Sequence, residues 1–257
     1  MYTIGLKFNG RFGNQLFEYA FMRIYAKEQG LILHTDGWHG QSLFGCDEPP
    51  LDISLPFVKD NFIDWTPETC MVLRQKPRNC NVEGYWAFHT KWFAQWKDFV
   101  ISLFQPVNVP DVFLKSKTLV SIHMRVAEDI ALWSKRCGHD AEGQRYMRYL
   151  TPTSWYLDWL ASIWKGLDDP ILHVATDTPG TENAFIAADY PVVTTNIDSE
   201  YEDFCLMTQA DYLAISCSSY SFFASMLNQK AKTFMRPCRY HKCLVPFDPW
   251  DAEPLPR

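Results

Sequence analysis

The stretch that decides how the chain begins to fold reads Asn9-Gly10-Arg11-Phe12-Gly13-Asn14-Gln15-Leu16-Phe17-Glu18-Tyr19-Ala20. Before it, the apolar run 3–8 predicts a strand that breaks at the glycine. After it, apolar residues recur at helical spacing as far as Tyr25. A strand, a glycine turn and a helix in this order place backbone N–H groups at a helix N-terminus, where anions are favoured.

The turn itself carries several groups suited to an anionic ligand. Gly10 and Gly13 permit close approach of the backbone, and Arg11 adds a forked positive charge. Asn14 and Gln15 add amide groups. The spacing matches neither the dinucleotide fingerprint nor a P-loop, so an ordinary strand-to-helix turn remains the alternative.

Composition narrows the class of protein. The 257 residues carry 24 Lys and Arg against 30 Asp and Glu, a net charge of −6, which argues against nucleic acid as the main partner. Aromatic residues make up 16% of the chain. Most of them belong in a core, but so many amphipathic rings also suit a sugar-binding cleft.

The sequence also sets expectations for compartment and metal. It shows no signal peptide and no apolar window long enough to span a membrane, so the eight cysteines are expected to be reduced thiols in a cytoplasmic protein. Cys238, His241 and Cys243 supply three metal-ligand types. No fourth ligand stands at a usual spacing, so we expect no metal, and a zinc site remains the alternative.

Strands and helices alternate along the chain, which predicts an α/β protein with mostly parallel sheets and helices on both faces. The proline-containing stretch 105–110 is the best linker candidate. It divides the chain into a first domain, 1–107, and a second, 108–257. In such sheets ligands gather at the carboxyl ends of the strands.

Polar groups follow the predicted strand 119–122. Arg125 is suited to clamp phosphate, because guanidinium binds phosphate oxygens bidentately. An ion pair with Glu128 or Asp129 is the alternative. His123 lies within an apolar strand, so a satisfied core histidine competes with a role in the site.

Two further candidates follow later strands. Asp177 ends the strand 171–176, where a carboxylate accepts hydrogen bonds from nucleoside hydroxyls; a helix N-cap is the alternative. Ser218, Ser219 and Ser221 precede or open an apolar helix, where hydroxyl and backbone N–H groups converge on an anion. The shared position of these groups at strand ends predicts a nucleotide or sugar-phosphate cleft.

With these residues in place, the chain resembles the α-1,2-fucosyltransferase family and the wider fucosyltransferase clan. Residues 10–20 match the family's opening motif G-R-L-G-N-Q-L-F-Q-Y-A, and 120–128, V-S-I-H-M-R-V-A-E, match V-S-I-H-x-R-R-G-D. Residues 175–178 echo F-S-D-D. Residues 206–228 correspond to a fourth motif that contains N-S-S-F-S-W-W-G-A-W-L-N. The four motifs occur in the family's order and cover nearly the whole chain.

The resemblance implies a GT-B architecture, in which two Rossmann-like units face a central cleft. It implies inverting transfer of a sugar, usually L-fucose from GDP-fucose, to a glycan hydroxyl, with no cofactor and no metal. The first domain would then be on the acceptor side, and the second would bind the nucleotide-sugar donor. Arg125 would neutralise the diphosphate with help from the three serines, and Asp177 would bind the nucleoside. His123 and residues 10–15 would line the cleft floor.

One departure from the family pattern bears on the donor. Val126 replaces the second arginine of the second motif, and the following Gly-Asp is Ala127-Glu128. Less positive charge at a diphosphate means less stabilisation of the leaving group. A different deoxysugar such as rhamnose on another nucleotide, or a non-catalytic nucleotide- or carbohydrate-binding relative, are therefore the alternatives.

The general base is left open by the sequence. Glu128 is our preferred candidate, and Asp129, His123 and Glu18 are the others.

Overall fold

The computed structural model of the protein describes residues 2–60, 66–106, 118–126, 150–195 and 200–254. The chain divides into two compact units. The N-terminal unit comprises residues 1–108 with 250–255, and the C-terminal unit comprises 109–249 with 256–257. Within the described residues, each unit contains one sheet.

The N-terminal unit has a four-stranded sheet in which every described pairing is parallel. Its order is β2-β1-β4-β3, where the strands are β1 Thr3–Leu6, β2 Ile32–Thr35, β3 Phe57–Lys59 and β4 Cys80–Glu83. The helices are α1 Phe12–Gln29, α2 Gly40–Phe44, α3 Met71–Gln75, α4 Lys91–Ala94 and α5 Lys97–Leu103.

Helix α1 forms the centre of this unit's core. Leu16, Phe17 and Phe21 are fully buried, and the Phe21 ring stacks on Trp86 with centroids 4.6 Å apart. The helix ends at Gly30, whose φ of 63° belongs to the left-handed region that glycine adopts without strain. The α1 helix therefore has apolar contacts on most sides of its middle part, which explains why apolar residues dominate the stretch 16–26.

The C-terminal unit has a six-stranded sheet of order β10-β9-β8-β5-β6-β7. Its strands are β5 Thr118–His123, β6 Pro170–Ala175, β7 Val192–Val193, β8 Tyr212–Ala214, β9 Thr233–Cys238 and β10 Cys243–Pro246. The helices are α6 Thr153–Ile163, α7 Asn183–Ile186, α8 Glu200–Gln209 and α9 Ser219–Leu227. The β9–β10 hairpin is antiparallel and the other pairings are parallel.

Both faces of the second sheet are covered. Val120 and Ile122 of β5 belong to one buried cluster with Tyr156 and Leu160 of α6. On the other face, His173 of β6 reaches Asp203 of α8. The α/β class with mostly parallel sheets is thus confirmed. In the described part of the chain, no helix has the length and hydropathy needed to cross a membrane.

Some details differ from the sequence expectation. Apolar residues recur at helical spacing over 90–104, which predicts one helix, but the structure has two short helices there, α4 and α5. The sequence does not predict the strands β3 and β10. The predicted second domain ran to residue 257, but residues 250–255 belong to the N-terminal unit. The reason is a local anchor: the Thr90 hydroxyl donates a hydrogen bond to the Ala252 carbonyl over 3.0 Å, and Trp250 is buried.

Candidate functional site

The carboxyl ends of β5, β8 and β9 lie side by side in the C-terminal unit. Ile122 pairs with Ala214, and Ala214 pairs with Met235. The residues that follow these three positions therefore share one edge of the sheet, which we call the carboxyl edge. Parallel α/β sheets bind their ligands at such an edge.

His123 ends β5 at the carboxyl edge and is 7% exposed. Its Nδ1 atom lies 2.8 Å from the Ser216 hydroxyl oxygen, and its backbone carbonyl accepts a hydrogen bond from the Tyr156 hydroxyl over 3.1 Å. The Tyr220 ring stands edge-on to the imidazole at 5.4 Å. His123 therefore has the buried, hydrogen-bonded surroundings that the core-histidine alternative predicts, at the end of the strand that leads to Arg125.

The serine cluster forms the start of α9. Ser218 is the N-cap residue, with extended backbone, and its side chain makes no capping hydrogen bond. The Ser221 hydroxyl donates to the Ser218 carbonyl over 3.4 Å. Ser218 and Ser221 are buried, and Ser219 is half-buried. The first turn of α9 itself contains no acidic residue.

Asp177 follows β6 and is exposed. It does not cap the next helix, because the N-cap of α7 is Glu182, so the capping alternative is not what the structure has. The carboxylate acts on Tyr220: burial raises the pKa of that phenol well above its usual value, and Asp203, Glu200 and Asp177 raise the pKa further. Asp177 thus lies near Tyr220, which belongs to the first turn of α9.

Positive charge gathers around Cys217, which follows β8. Burial raises the pKa of the Cys217 thiol, while Arg236, Arg239 and Arg125 oppose that rise. Arg125 and Arg236 are half-buried and Arg239 is exposed. The effect on Cys217 supports the expectation that Arg125 lies near the serine-rich start of α9. The other two arginines were not predicted, because only the strand order places β9 beside β8.

A buried hydrogen-bond chain ties the sheet to α8. The Ser121 hydroxyl lies 2.9 Å from His173 Nδ1, and His173 Nε2 lies 2.9 Å from an oxygen of Asp203. The Thr195 hydroxyl donates to the same oxygen over 2.6 Å. His173 is fully buried, so this chain helps to hold the sheet beside His123 together.

The glycine turn of the N-terminal unit has the predicted strand-turn-helix form. Gly10 has a φ of 75°, and a Cβ atom there would meet the Asn14 side-chain nitrogen at 2.4 Å, so any other residue strains the backbone and displaces Asn14. Arg11 is the exposed N-cap residue of α1. The Gln15 amide donates to the Gly10 carbonyl over 3.3 Å, and Gly13 is buried in the first turn. Part of the polar set therefore holds the turn itself.

Glu18 also stabilises this glycine turn. Its Oε2 atom accepts the Asn9 backbone N–H over 2.9 Å, and the side chain is fully buried. Burial raises its pKa to about 9; Asp36 and Glu83 act in the same direction, and the Asn9 hydrogen bond opposes them. Glu18 is thus a neutral acid near pH 7, so it is not suited to the general-base role for which the sequence made it a candidate.

Glu128 and Asp129, the other carboxylate candidates, lie outside the described residues. In the described ranges no three His, Cys, Asp or Glu side chains are placed to hold a metal ion, so the zinc alternative at Cys238, His241 and Cys243 has no geometric support. Cys238 and Cys243 face each other across the β9–β10 hairpin as free thiols.

Comparison with solved structures identifies the architecture. A NodZ α-1,6-fucosyltransferase soaked with GDP-fucose superposes with a TM-score of 0.61 at 13% identity, over 96% of this chain and 99% of that one. The chain has a GT-B-like fucosyltransferase fold. A mutant of Arabidopsis thaliana FUT1 in complex with GDP gives 0.61 at 14% identity, over 94% and 72% of the two chains. POFUT1 in complex with GDP-fucose gives 0.52 at 12%, over 91% and 97%.

Sequence comparison adds nothing to this likeness. No family model matches the chain, and no curated protein matches it. The predicted GT-B class therefore rests on the structural neighbours.

Proposed function

We propose that the protein is a glycosyltransferase that moves L-fucose from GDP-fucose to a hydroxyl group of a glycan acceptor. The observation that carries the proposal is that Arg125, the serine-rich segment before α9 and Asp177 each follow the carboxyl end of one of three neighbouring parallel strands, β5, β8 and β6. This arrangement supplies positive charge and backbone donors for a diphosphate and a carboxylate for a nucleoside. The solved structures that share the fold include fucosyltransferases with GDP-fucose or GDP bound.

The reaction is a single displacement with inversion. The acceptor oxygen attacks the anomeric carbon while the bond from that carbon to the diphosphate oxygen breaks, and the bonding electron pair leaves with the diphosphate. Arg125 stabilises the negative charge that develops there, and backbone N–H groups at the start of α9 assist. The acceptor hydroxyl loses its proton to a base, for which Glu128 remains our candidate. Asp177 accepts hydrogen bonds from the nucleoside.

No metal or cofactor has a part in this scheme, since fixed positive side chains perform the charge neutralisation that a divalent ion performs in other transferases. The C-terminal unit binds the donor and the N-terminal unit is on the acceptor side. Within the clan we favour the α-1,2 family, because the opening motif at residues 10–20 matches it so closely. We place the enzyme in the cytoplasm.

Val126 favours one second candidate, transfer of another deoxysugar from a different nucleotide. Calorimetric titration with GDP, UDP, CDP and dTDP, each with and without EDTA, separates the two. Binding of GDP alone, unchanged by EDTA, is the expected result. Preferential binding of another nucleoside diphosphate would show that the donor carries that nucleotide and not GDP. Loss of GDP binding in EDTA would contradict the metal-free scheme.

A binding protein without catalysis is distinguished by turnover. An enzyme of this class slowly hydrolyses its sugar nucleotide when no acceptor is present, because water takes the place of the acceptor. We expect GDP release from GDP-fucose under these conditions. Tight GDP binding with no release, either in water or with a panel of glycan acceptors, would show a non-catalytic relative.

A further inference from the structure

Strand β9 extends past the end of β8 at the carboxyl edge. Ala214 and Met235 are the last paired residues of the two strands, and the Ile215 backbone N–H still donates to the Met235 carbonyl over 2.9 Å. Arg236 is the next residue of β9. It is therefore placed beside the segment that follows β8, which contains Ser216 and Cys217 and leads into α9.

Two aromatic rings hold the Arg236 guanidinium. Its carbon lies 5.9 Å from the centroid of the Phe222 ring and 5.5 Å from that of Phe247. Phe222 belongs to the first turn of α9, where its backbone N–H donates to the Ser218 carbonyl over 3.0 Å. Rings orient a guanidinium without cancelling its charge. The positive group is thus fixed at the start of α9.

The same place receives positive charge from the other side. Arg125 follows β5, the neighbour of β8 on the side opposite β9, and both arginines act on the Cys217 thiol. Arg239 acts on it as well. The protein has a net charge of −6, so this cluster is not the result of general basicity.

We propose that Arg236 binds the diphosphate of the nucleotide sugar from the β9 side, opposite Arg125 on the β5 side. It then provides from a different strand the positive charge that Val126 does not provide. This inference rests on the proposed function and adds to it a residue that touches the leaving group. When the bond between the anomeric carbon and the diphosphate oxygen breaks, the two guanidinium groups share the negative charge that the departing diphosphate gains.

The test compares GDP with guanosine, which has no phosphate. Arg236→Gln is expected to weaken GDP binding about tenfold to a hundredfold, the usual effect of losing a charge-assisted hydrogen bond, and to leave guanosine binding unchanged. Arg74→Gln removes one positive charge from an exposed position in the N-terminal unit and serves as the matched control. Its GDP affinity should equal that of the wild type.

Arg236→Lys keeps the charge but loses the fork, so a several-fold loss of GDP affinity is expected. This variant decides the question if Arg236→Gln does not fold, as judged by its thermal unfolding. The inference about Arg236 is overturned if GDP affinity is unchanged in the folded Gln variant, or in the Lys variant if only that one folds. The proposed function would remain. Failure of the wild type to bind any of the four nucleoside diphosphates would overturn the proposed function together with it.

Discussion

The Nδ1 atom of His123 lies 2.8 Å from the hydroxyl oxygen of Ser216, and this contact joins the ends of β5 and β8 at the carboxyl edge. This contact fixes the plane of a buried imidazole next to the segment that enters α9. Because the other end of that segment carries the proposed phosphate-binding groups, the Ser216 hydroxyl positions the ring relative to the donor.

Replacing Ser216 with alanine tests that positioning. The resemblance places the His123 ring on the cleft floor, and a ring that has lost one hydrogen bond samples more orientations. We therefore expect Ser216→Ala to lower kcat about tenfold, while the KM for the donor changes little. Steady-state kinetics with GDP-fucose provide the measurement. Ser162→Ala is the control, since its hydroxyl bonds only its own helix at the Trp159 carbonyl, and it should keep full activity. Equal rates in both variants would show that the Ser216 hydroxyl does not position His123 for catalysis.

The buried Glu18 carboxyl makes stability depend on pH. Its pKa is raised to about 9 in the folded protein from 4.5, so between these values the folded state holds a proton that the unfolded state has released. The free energy of unfolding therefore falls as pH rises, at most by about 1.4 kcal/mol per pH unit, and the loss is complete above pH 9.

Glu18→Gln removes this titration while keeping the shape of the neutral acid. We expect the variant to gain stability relative to the wild type steadily from pH 5 to pH 9, measured by urea unfolding of the unliganded protein. Below pH 5 the two proteins should converge to a constant difference. A difference that does not change across this range would contradict the neutral, buried carboxyl.

The Asp203 carboxylate anchors α8 to the sheet through His173. Asp203→Ala leaves the fully buried His173 Nε2 without the partner that now lies at 2.9 Å, so we expect a loss of about 1–3 kcal/mol in the free energy of unfolding. Asp158→Ala, at an exposed position on α6, is the control and should lie within about 0.5 kcal/mol of the wild type. Equal stability of the two variants would show that the buried chain contributes nothing.

Gly10 and Gly30 form a matched pair for testing the turn. Both have positive φ, 75° and 63°, but a Cβ meets the Asn14 side chain only at Gly10, whereas nothing lies within 4 Å at Gly30. Each change to alanine should cost about 1 kcal/mol of stability for the backbone strain. Only Gly10→Ala should also reduce sugar transfer, because it displaces Asn14. Full transfer activity in Gly10→Ala would show that the glycine turn has only a structural role.

Periodicity was sufficient for the elements with strong local signals. The run 119–122 and the stretch 222–227 are compact and apolar, and they became β5 and α9 because a buried strand and a buried helix both require such runs. Strand β3 was not predicted, because it is short and its three residues are partly exposed in a proline-containing region. They form a strand because they pair with β4.

The missing parts of the site depend on relations between strands. Arg236 occurs in a short run near the end of the chain, and only the order β9-β8-β5 places it near Arg125. The neutral state of Glu18 likewise depends on the complete burial of its side chain. The apolar periodicity of α1 does not reveal that burial, because Glu18 is itself a polar residue in the pattern. The predicted strand ends gave the positions of Arg125, Asp177 and the serines, and the resemblance added their roles. Neither predicted a role for Arg236 or the protonation state of Glu18.

The most direct test of the central claim is the rate of GDP release from GDP-fucose in EDTA, measured side by side for the wild type, Arg125→Ala and the exposed control Arg74→Ala. The account predicts release by the wild type and the control, and at least a hundredfold slower release by folded Arg125→Ala, because the leaving group loses its positive partner. No release by the wild type, or equal rates in all three proteins, would contradict it.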